Sequence, residues 1–399
     1  MARALVTFLG KQYSRDGQAS YLRMAYDLPD GTTTPPARYF AVELYRWLAR
    51  SGRAVDRLIV LGTPTSMWRT LWDLTDSEDL ELWEAIERDS IGAGVNPTQL
   101  AQAGAALSAA LGVQVDCRLI TSARTRPEQL EVIDALQSST AGCDRVVLDI
   151  THGYRHLPLI ATVAARLLQH TGQHVVEHIY YGMEHDLTGP PPPGPRRGAV
   201  IDLGGLLRLL DVSEGLSTWQ TTGRLTPLAN ALHGLLPDAA MLGYFHDLRQ
   251  PSRARALASR ARQALNASAD PLLEMLRAPL QGVLTRLAST HDPAWQHLDH
   301  ATAAFRHRDL PGMLIHLREA VAHHLSLNGA PQEHIQALRV YLGKSDFRQL
   351  NQLRDLRNAV AHGGASHQSR DELKSPARME HTLRSLLAFV RRTLNRPGF

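Results

Sequence analysis

Hydrophobic periodicity changes once along this 399-residue chain, and that change limits the folds open to it. Up to about residue 203, short apolar runs alternate with segments of helical period. Residues 2–8, 21–28, 57–61, 114–120, 145–150, 174–181 and 199–203 read as strands. Helical patterns lie between them at 36–51, 78–89, 97–111, 127–138 and 158–169. Alternation of this kind predicts a mostly parallel, doubly wound sheet with helices on its faces. From residue 206 onward no segment reads as a strand. Helical periods recur instead at 206–210, 227–236, 254–267, 271–289, 295–306, 312–325, 331–341, 345–363 and 378–394. The expected fold is therefore α/β plus all-α, a Rossmann-like domain followed by a helical bundle. The boundary falls between residues 204 and 212 and is placed to give domains 1–207 and 208–399. The proline-rich run 189–195 looks like a linker, but a further strand follows it. It is read as a stiff exposed loop inside the first domain.

In doubly wound sheets, ligands bind beyond the carboxyl ends of the strands. Three expected strand ends carry small and polar residues: Gly10 and Lys11; Gly62, Thr63 and Thr65; and Thr151, His152, Gly153 and Arg155. Glycine admits close backbone approach, and hydroxyl and backbone N–H groups can hold phosphate. No G-x-G-x-x-G follows the first strand and no Walker A motif is present, which disfavours an ordinary dinucleotide site and a P-loop.

The helix expected from Ser345 ends at Arg357-Asn358-Ala359-Val360-Ala361-His362, directly before Gly363-Gly364. Asn358 and His362 are one turn apart, and the Arg357 stem is long enough to swing round to them. Metal-free phosphodiester cleavage needs a proton-transfer group and a fixed cation, which His362 and Arg357 would supply. The bare Arg-x4-His spacing is common: roughly two pairs are expected by chance, and Arg286/His291 and Arg318/His323 share it. Only the third pair has Asn after the Arg and a Gly-Gly stop. His291 reads as a turn residue, and His323 as part of a core helix.

Composition adds limits. The net charge of +4 permits a polyanionic partner without requiring one. The two cysteines, Cys117 and Cys143, form no disulfide framework, so a reduced cytoplasm is the expectation. No apolar run reaches membrane-spanning length, so no membrane partner is expected. His170, His174 and His178 have metal-ligand spacing, but Gly172 separates the first from a strand-like run, and no metal is expected. Trp68 and Trp72 are four apart and would share one helix face.

Several stretches together resemble a known family, the CRISPR-associated CARF–HEPN ribonucleases of type III systems. Val6-Thr7-Phe8-Leu9-Gly10 is similar to its opening strand and loop. The stretch Leu148-Asp149-Ile150-Thr151-His152-Gly153-Tyr154-Arg155-His156-Leu157-Pro158 resembles its Asp-x-Thr-His-Gly-[aromatic]-Arg-x-x-Pro signature. Ile179 to Glu184 and Val200 to Leu210 resemble the end of its sensor domain, and Arg357-Asn358-x3-His362 resembles its nuclease motif. The resemblance implies a CARF domain that binds a cyclic oligoadenylate, the tetra- or hexa-adenylate, at a homodimer interface. It implies a HEPN domain that cleaves single-stranded RNA without a metal or other cofactor, in cytoplasmic antiviral defence. Two other readings stay open: a non-catalytic sensor that only binds RNA or protein, and an enzyme that also degrades its own cyclic ligand.

Overall fold

The run Arg3–Leu9 (β1) is apolar at nearly every position, and Ala4, Leu5, Val6 and Phe8 are fully buried. A strand with both faces covered fits a parallel sheet flanked by helices. In the computed structural model β1 is central. It pairs in parallel with Arg57–Gly62 (β3) on one side and Arg145–Asp149 (β5) on the other. The structure describes residues 2–11, 21–75, 77–171, 175–184, 196–288, 292–327, 335–362 and 373–396. For residues 327, 335–337, 361 and 362 it describes the backbone alone.

The remaining strands are Met24–Asp27 (β2), Gln114–Leu119 (β4), Val175–Glu184 (β6) and Arg196–Asp202 (β7). The sheet runs β2-β7-β6-β5-β1-β3-β4, parallel except where β6 meets β7. Sequence reading expects a longer β2 over 21–28. It spans only the four residues that pair with β7, Met24–Asp27 against Arg196–Ala199. The helices of this unit are Phe40–Arg50 (α1), Leu80–Ile91 (α2), Pro97–Leu111 (α3), Arg126–Ser139 (α4) and Leu157–His170 (α5). Asn96 and Gln99 close a capping box at the start of α3. The apolar face of α1 (Phe40, Leu44, Trp47, Leu48) joins the core below the sheet. Burying a side chain of that size contributes about 1.5–3 kcal/mol.

Trp68 and Trp72 lie in a 3-10 helix, Trp68–Leu74, rather than an α-helix. With three residues per turn they no longer share a face. Trp68 is buried under β3, while Trp72 carries the Arg69 guanidinium 3.6 Å from its ring centre. The chain divides into two compact units, Met1–Leu206 and Leu207–Phe399.

The second unit is helical throughout its described residues: Gly204–Thr222 (α6, which begins at the unit boundary), Thr226–Ala231 (α7), Ala239–Asp247 (α8), Pro251–Ala267 (α9), Pro271–Leu287 (α10), Pro293–Arg306 (α11), Leu310–Leu327 (α12), Ile335–His362 (α13) and Pro376–Leu394 (α14). Gly343 has φ 75°, outside helical geometry, so α13 is two helices joined there, as the separate periods over 331–341 and 345–363 suggest. The core has two parts. One lies among α6 to α10, and the other joins α11, α12, α13 and α14 through Leu298, Leu317, Leu356 and Phe389. No described helix is long and apolar enough to cross a membrane.

Candidate functional site

β1 is the point at which strand order reverses: β3 and β4 lie on one side of it, and β5 and β6 on the other. The crevice beyond its carboxyl end is the expected ligand position in such a sheet. The parallel register sets Leu9 beside Gly62 and Thr7 beside Asp149, so the three polar strand ends share one sheet edge.

At this edge Gly10 meets Gly153. A Cβ added to Gly10 would lie 2.6 Å from the Gly153 Cα, so only glycine permits the two backbones to approach. Gly153 itself holds φ 125°, which bulkier residues resist. The turn is anchored by Asp149, a fully buried carboxylate. Its Oδ1 accepts from the Thr151 N–H at 3.0 Å and the Thr151 hydroxyl at 2.5 Å, and its Oδ2 accepts from the Thr7 hydroxyl at 2.8 Å. Burial pushes the Asp149 pKa up to about 6, against the pull of those bonds. Thr151 Oγ1 also accepts from the Gly182 N–H at 2.8 Å, which ties the turn to β6.

His152 lies against Tyr21 and Tyr39, with ring centres 4.4 and 5.3 Å away. Its Nε2 accepts from the Phe40 N–H at 3.3 Å, so the imidazole caps the amino end of α1. Desolvation lowers its pKa to about 4, and the positive end of a helix dipole acts in the same direction. His152 is thus neutral, with its proton on Nδ1. Tyr21 completes the cluster by accepting from the Gly10 N–H at 2.9 Å. Arg155 is exposed and has no partner among the described residues.

The β3 end divides by role. Thr63 is spent internally: its N–H donates to Ser66 Oγ at 2.9 Å and its carbonyl accepts from Trp68 Nε1 at 2.9 Å. Ser66 Oγ in turn donates to the Leu9 carbonyl at 2.6 Å, locking this turn to β1. Gly62 leaves space for the Trp68 ring. Lys11 and Thr65 line a cleft of about 270 Å3 together with Arg38, Arg69, Thr70 and Asp73. Arg38 pairs with Asp73 at 3.0 Å and Arg69 with Glu87 at 3.5 Å, leaving Lys11 as the cation without an ion pair among the described residues. Asp149, Tyr21, Tyr39, Arg38 and Arg69 are not among the sequence candidates. The Asp-x-Thr spacing at 149–151 is a readable Asx-turn signal. The tyrosines and arginines arrive from separate elements and leave no local pattern.

In the helical unit, Leu353, Leu356 and Ala359 of α13 are buried, and Arg357 and Asn358 are half-buried on its flank. Arg357 Nη1 donates to Asn358 Oδ1 at 3.0 Å. His362 is the last residue of the helix; its side chain and the Gly363-Gly364 pair lie outside the described residues. Arg318 pairs with Glu319 at 2.8 Å. His323 lies on a helix that packs into the core, as expected, but is itself exposed and stacks on His297; the buried neighbour is His324. Spacing along α12 turns His324 inward and His323 outward. Arg286 is half-buried near Trp219, and His291 lies outside the described residues.

His170 ends α5 and His178 lies within β6, in separate elements, while His174 falls outside the described residues. His178 bonds Asp202 at 3.0 Å. Among the described residues no group of three His, Cys, Asp or Glu side chains could hold a metal ion. No family model matches the chain, and a search of curated proteins returns no match.

Proposed function

We propose that the chain is a cyclic-oligoadenylate-activated, metal-independent endoribonuclease of the CARF–HEPN type that acts on single-stranded RNA as a homodimer in the cytoplasm. The observation that carries the nuclease half is the Arg357–Asn358 bond on the flank of α13, one turn before His362. Asn358 holds the guanidinium, so the cation is set before substrate arrives. The ribose 2′-OH attacks the adjacent phosphorus, forming the O2′–P bond as the P–O5′ bond breaks. The products are a 2′,3′-cyclic phosphate and a 5′-OH. His362 moves the proton, which typically contributes about 10²–10⁴-fold. Arg357 stabilises charge on the phosphoryl oxygens.

The sensor half is supported by the crevice at the β1 switch point. The Gly10–Gly153 approach, the neutral His152 and the Lys11 cation suit a flat, polar, phosphate-bearing ligand. Self-cleavage of the ligand by His152 is disfavoured, because its Nε2 lone pair is engaged by the Phe40 N–H.

His362→Ala should slow single-turnover cleavage of a fluorescent RNA at least about 10²-fold with the melting temperature unchanged. Parent-rate cleavage by that variant, with His323→Ala folded and inactive, would mean the wrong pair has been chosen.

A further inference from the structure

Helix-terminating positions with positive φ normally fall to glycine, because a Cβ is strained there. In the helical unit two such positions hold arginine: Arg249 after α8, at φ 60°, and Arg308 after α11, at φ 56°. Both line one pocket of about 460 Å3 with Arg224, His307, Asp247 and Asp309. Strained non-glycine residues gather where the side chain is needed.

The two acids in this pocket are already committed. Asp247 accepts from the Leu225 and Thr226 N–H groups at 2.8 and 3.0 Å, and lies 2.9 Å from His246 Nδ1. Asp309 accepts from the Gly312 N–H at 3.0 Å and pairs with Arg249. That pairing accounts for Arg249. Among the described residues nothing accounts for Arg308, whose exposed guanidinium, like that of Arg224, has no partner there.

Arg308 also borders a second pocket, of about 550 Å3, whose apolar wall is Phe305, Leu310, Met379 and Leu383; Arg306 and Glu380 also line it, Glu380 is paired with Arg384, and the Arg384 guanidinium lies 5.9 Å from the Phe305 ring centre. A cationic pocket and an aromatic-walled pocket therefore meet at one strained arginine. We propose that these paired pockets form a nucleotide-binding site: a phosphate between Arg308 and Arg224, and the base against Phe305 and Leu310. Arginine gives phosphate a planar, charge-assisted fork, and an aromatic wall takes any base by its π-face. The inference goes beyond the nuclease reading and stands without it, since none of these residues belongs to α13.

The test is fluorescence anisotropy with a short, uncleavable 2′-O-methyl oligoadenylate, so cleavage does not enter the readout. Arg308→Gly should weaken binding about 10- to 100-fold, the usual effect of losing a charge-assisted contact. It should melt at or above the parent temperature, because glycine tolerates the backbone. Arg224→Ala should lose affinity and reduce the salt dependence of binding. An abasic strand of the same length should bind more weakly than the oligoadenylate. Displacement by adenosine monophosphate assigns the site to free nucleotide, and resistance to it assigns the site to strand phosphodiesters. Parent affinity in both folded variants overturns the site, and equal binding of the abasic strand overturns its base-binding half.

Discussion

Asp149 carries its charge where water does not reach. Its oxygens are occupied by Thr7 and Thr151, yet burial still holds its pKa at about 6, above the ordinary value of 3.8. A raised carboxylate pKa means that the folded state keeps its proton longer than the unfolded state. The associated stability is full below about 3.8 and is lost as pH rises through about 6. At neutral pH the buried charge costs on the order of 3 kcal/mol. Asp149→Asn keeps an acceptor for Thr151 and an amide for Thr7. It should unfold at a higher urea midpoint at pH 7, and its gain over the parent should shrink as pH falls from about 6 to about 4. A lower midpoint at neutral pH would show that the turn needs the charge itself. His152 belongs to the same scale: it reads in sequence as a ligand-contact candidate, and in the fold its Nε2 accepts from the first N–H of α1.

Helices α8, α11 and α12 bring imidazoles into ring contact: His323 on His297, His300 on His316, and His246 near His300. His297 and His316 face each other Nδ1 to Nδ1 at 3.0 Å, so one donates and the other accepts. Burial, helped by neighbouring histidines, lowers His297 to about 4 and His300 to about 3 and holds His316 well below the ordinary value, with Arg249 adding to the effect at His300 and His316. These groups stay neutral in the fold, and the unfolded chain protonates them first. Their stability is full above about 6.5 and is lost as pH falls toward 4 and 3. With all three titrating, stability should drop by up to about 4 kcal/mol per pH unit. Denaturation of the whole chain at stepped pH between 7.5 and 5 measures this slope. His300→Phe should reduce it by about 1.4 kcal/mol per unit, and an unchanged slope would remove His300 from the account.

Elements differ in how readable they are. β1, β3 and β5 announce themselves as unbroken apolar runs because both faces are covered. The reversal of β7 against β6, and its pairing with β2 from the far end of the chain, depends on long-range contact that no local pattern carries. Helix α8 is missed in sequence because it is short and Gly243 interrupts its period, although Gly243 is there to let the helix approach Thr226. Arg357 and Asn358 are visible because they occupy one short motif. Tyr21, Tyr39 and Arg69 are invisible because tertiary folding alone delivers them.

At the scale of the molecule, one Arg357/His362 pair is sparse equipment for phosphodiester cleavage, and a twofold axis would double it. Sedimentation should therefore find a dimer at assay concentrations. A monomer that cleaves RNA at full rate would contradict that part of the proposal. Sensing and cleavage are assigned to different units, Met1–Leu206 and Leu207–Phe399, so activation requires a coupling free energy between them. A ligand supplies it only by binding the active state more tightly than the inactive one. The most direct test is the single-turnover rate of RNA cleavage, without metal, in the absence and presence of saturating cyclic tri-, tetra- and hexa-adenylate. The account predicts that one ring size raises the rate at least about tenfold, corresponding to a coupling of about 1.4 kcal/mol or more. Equal rates with and without every ring would contradict it.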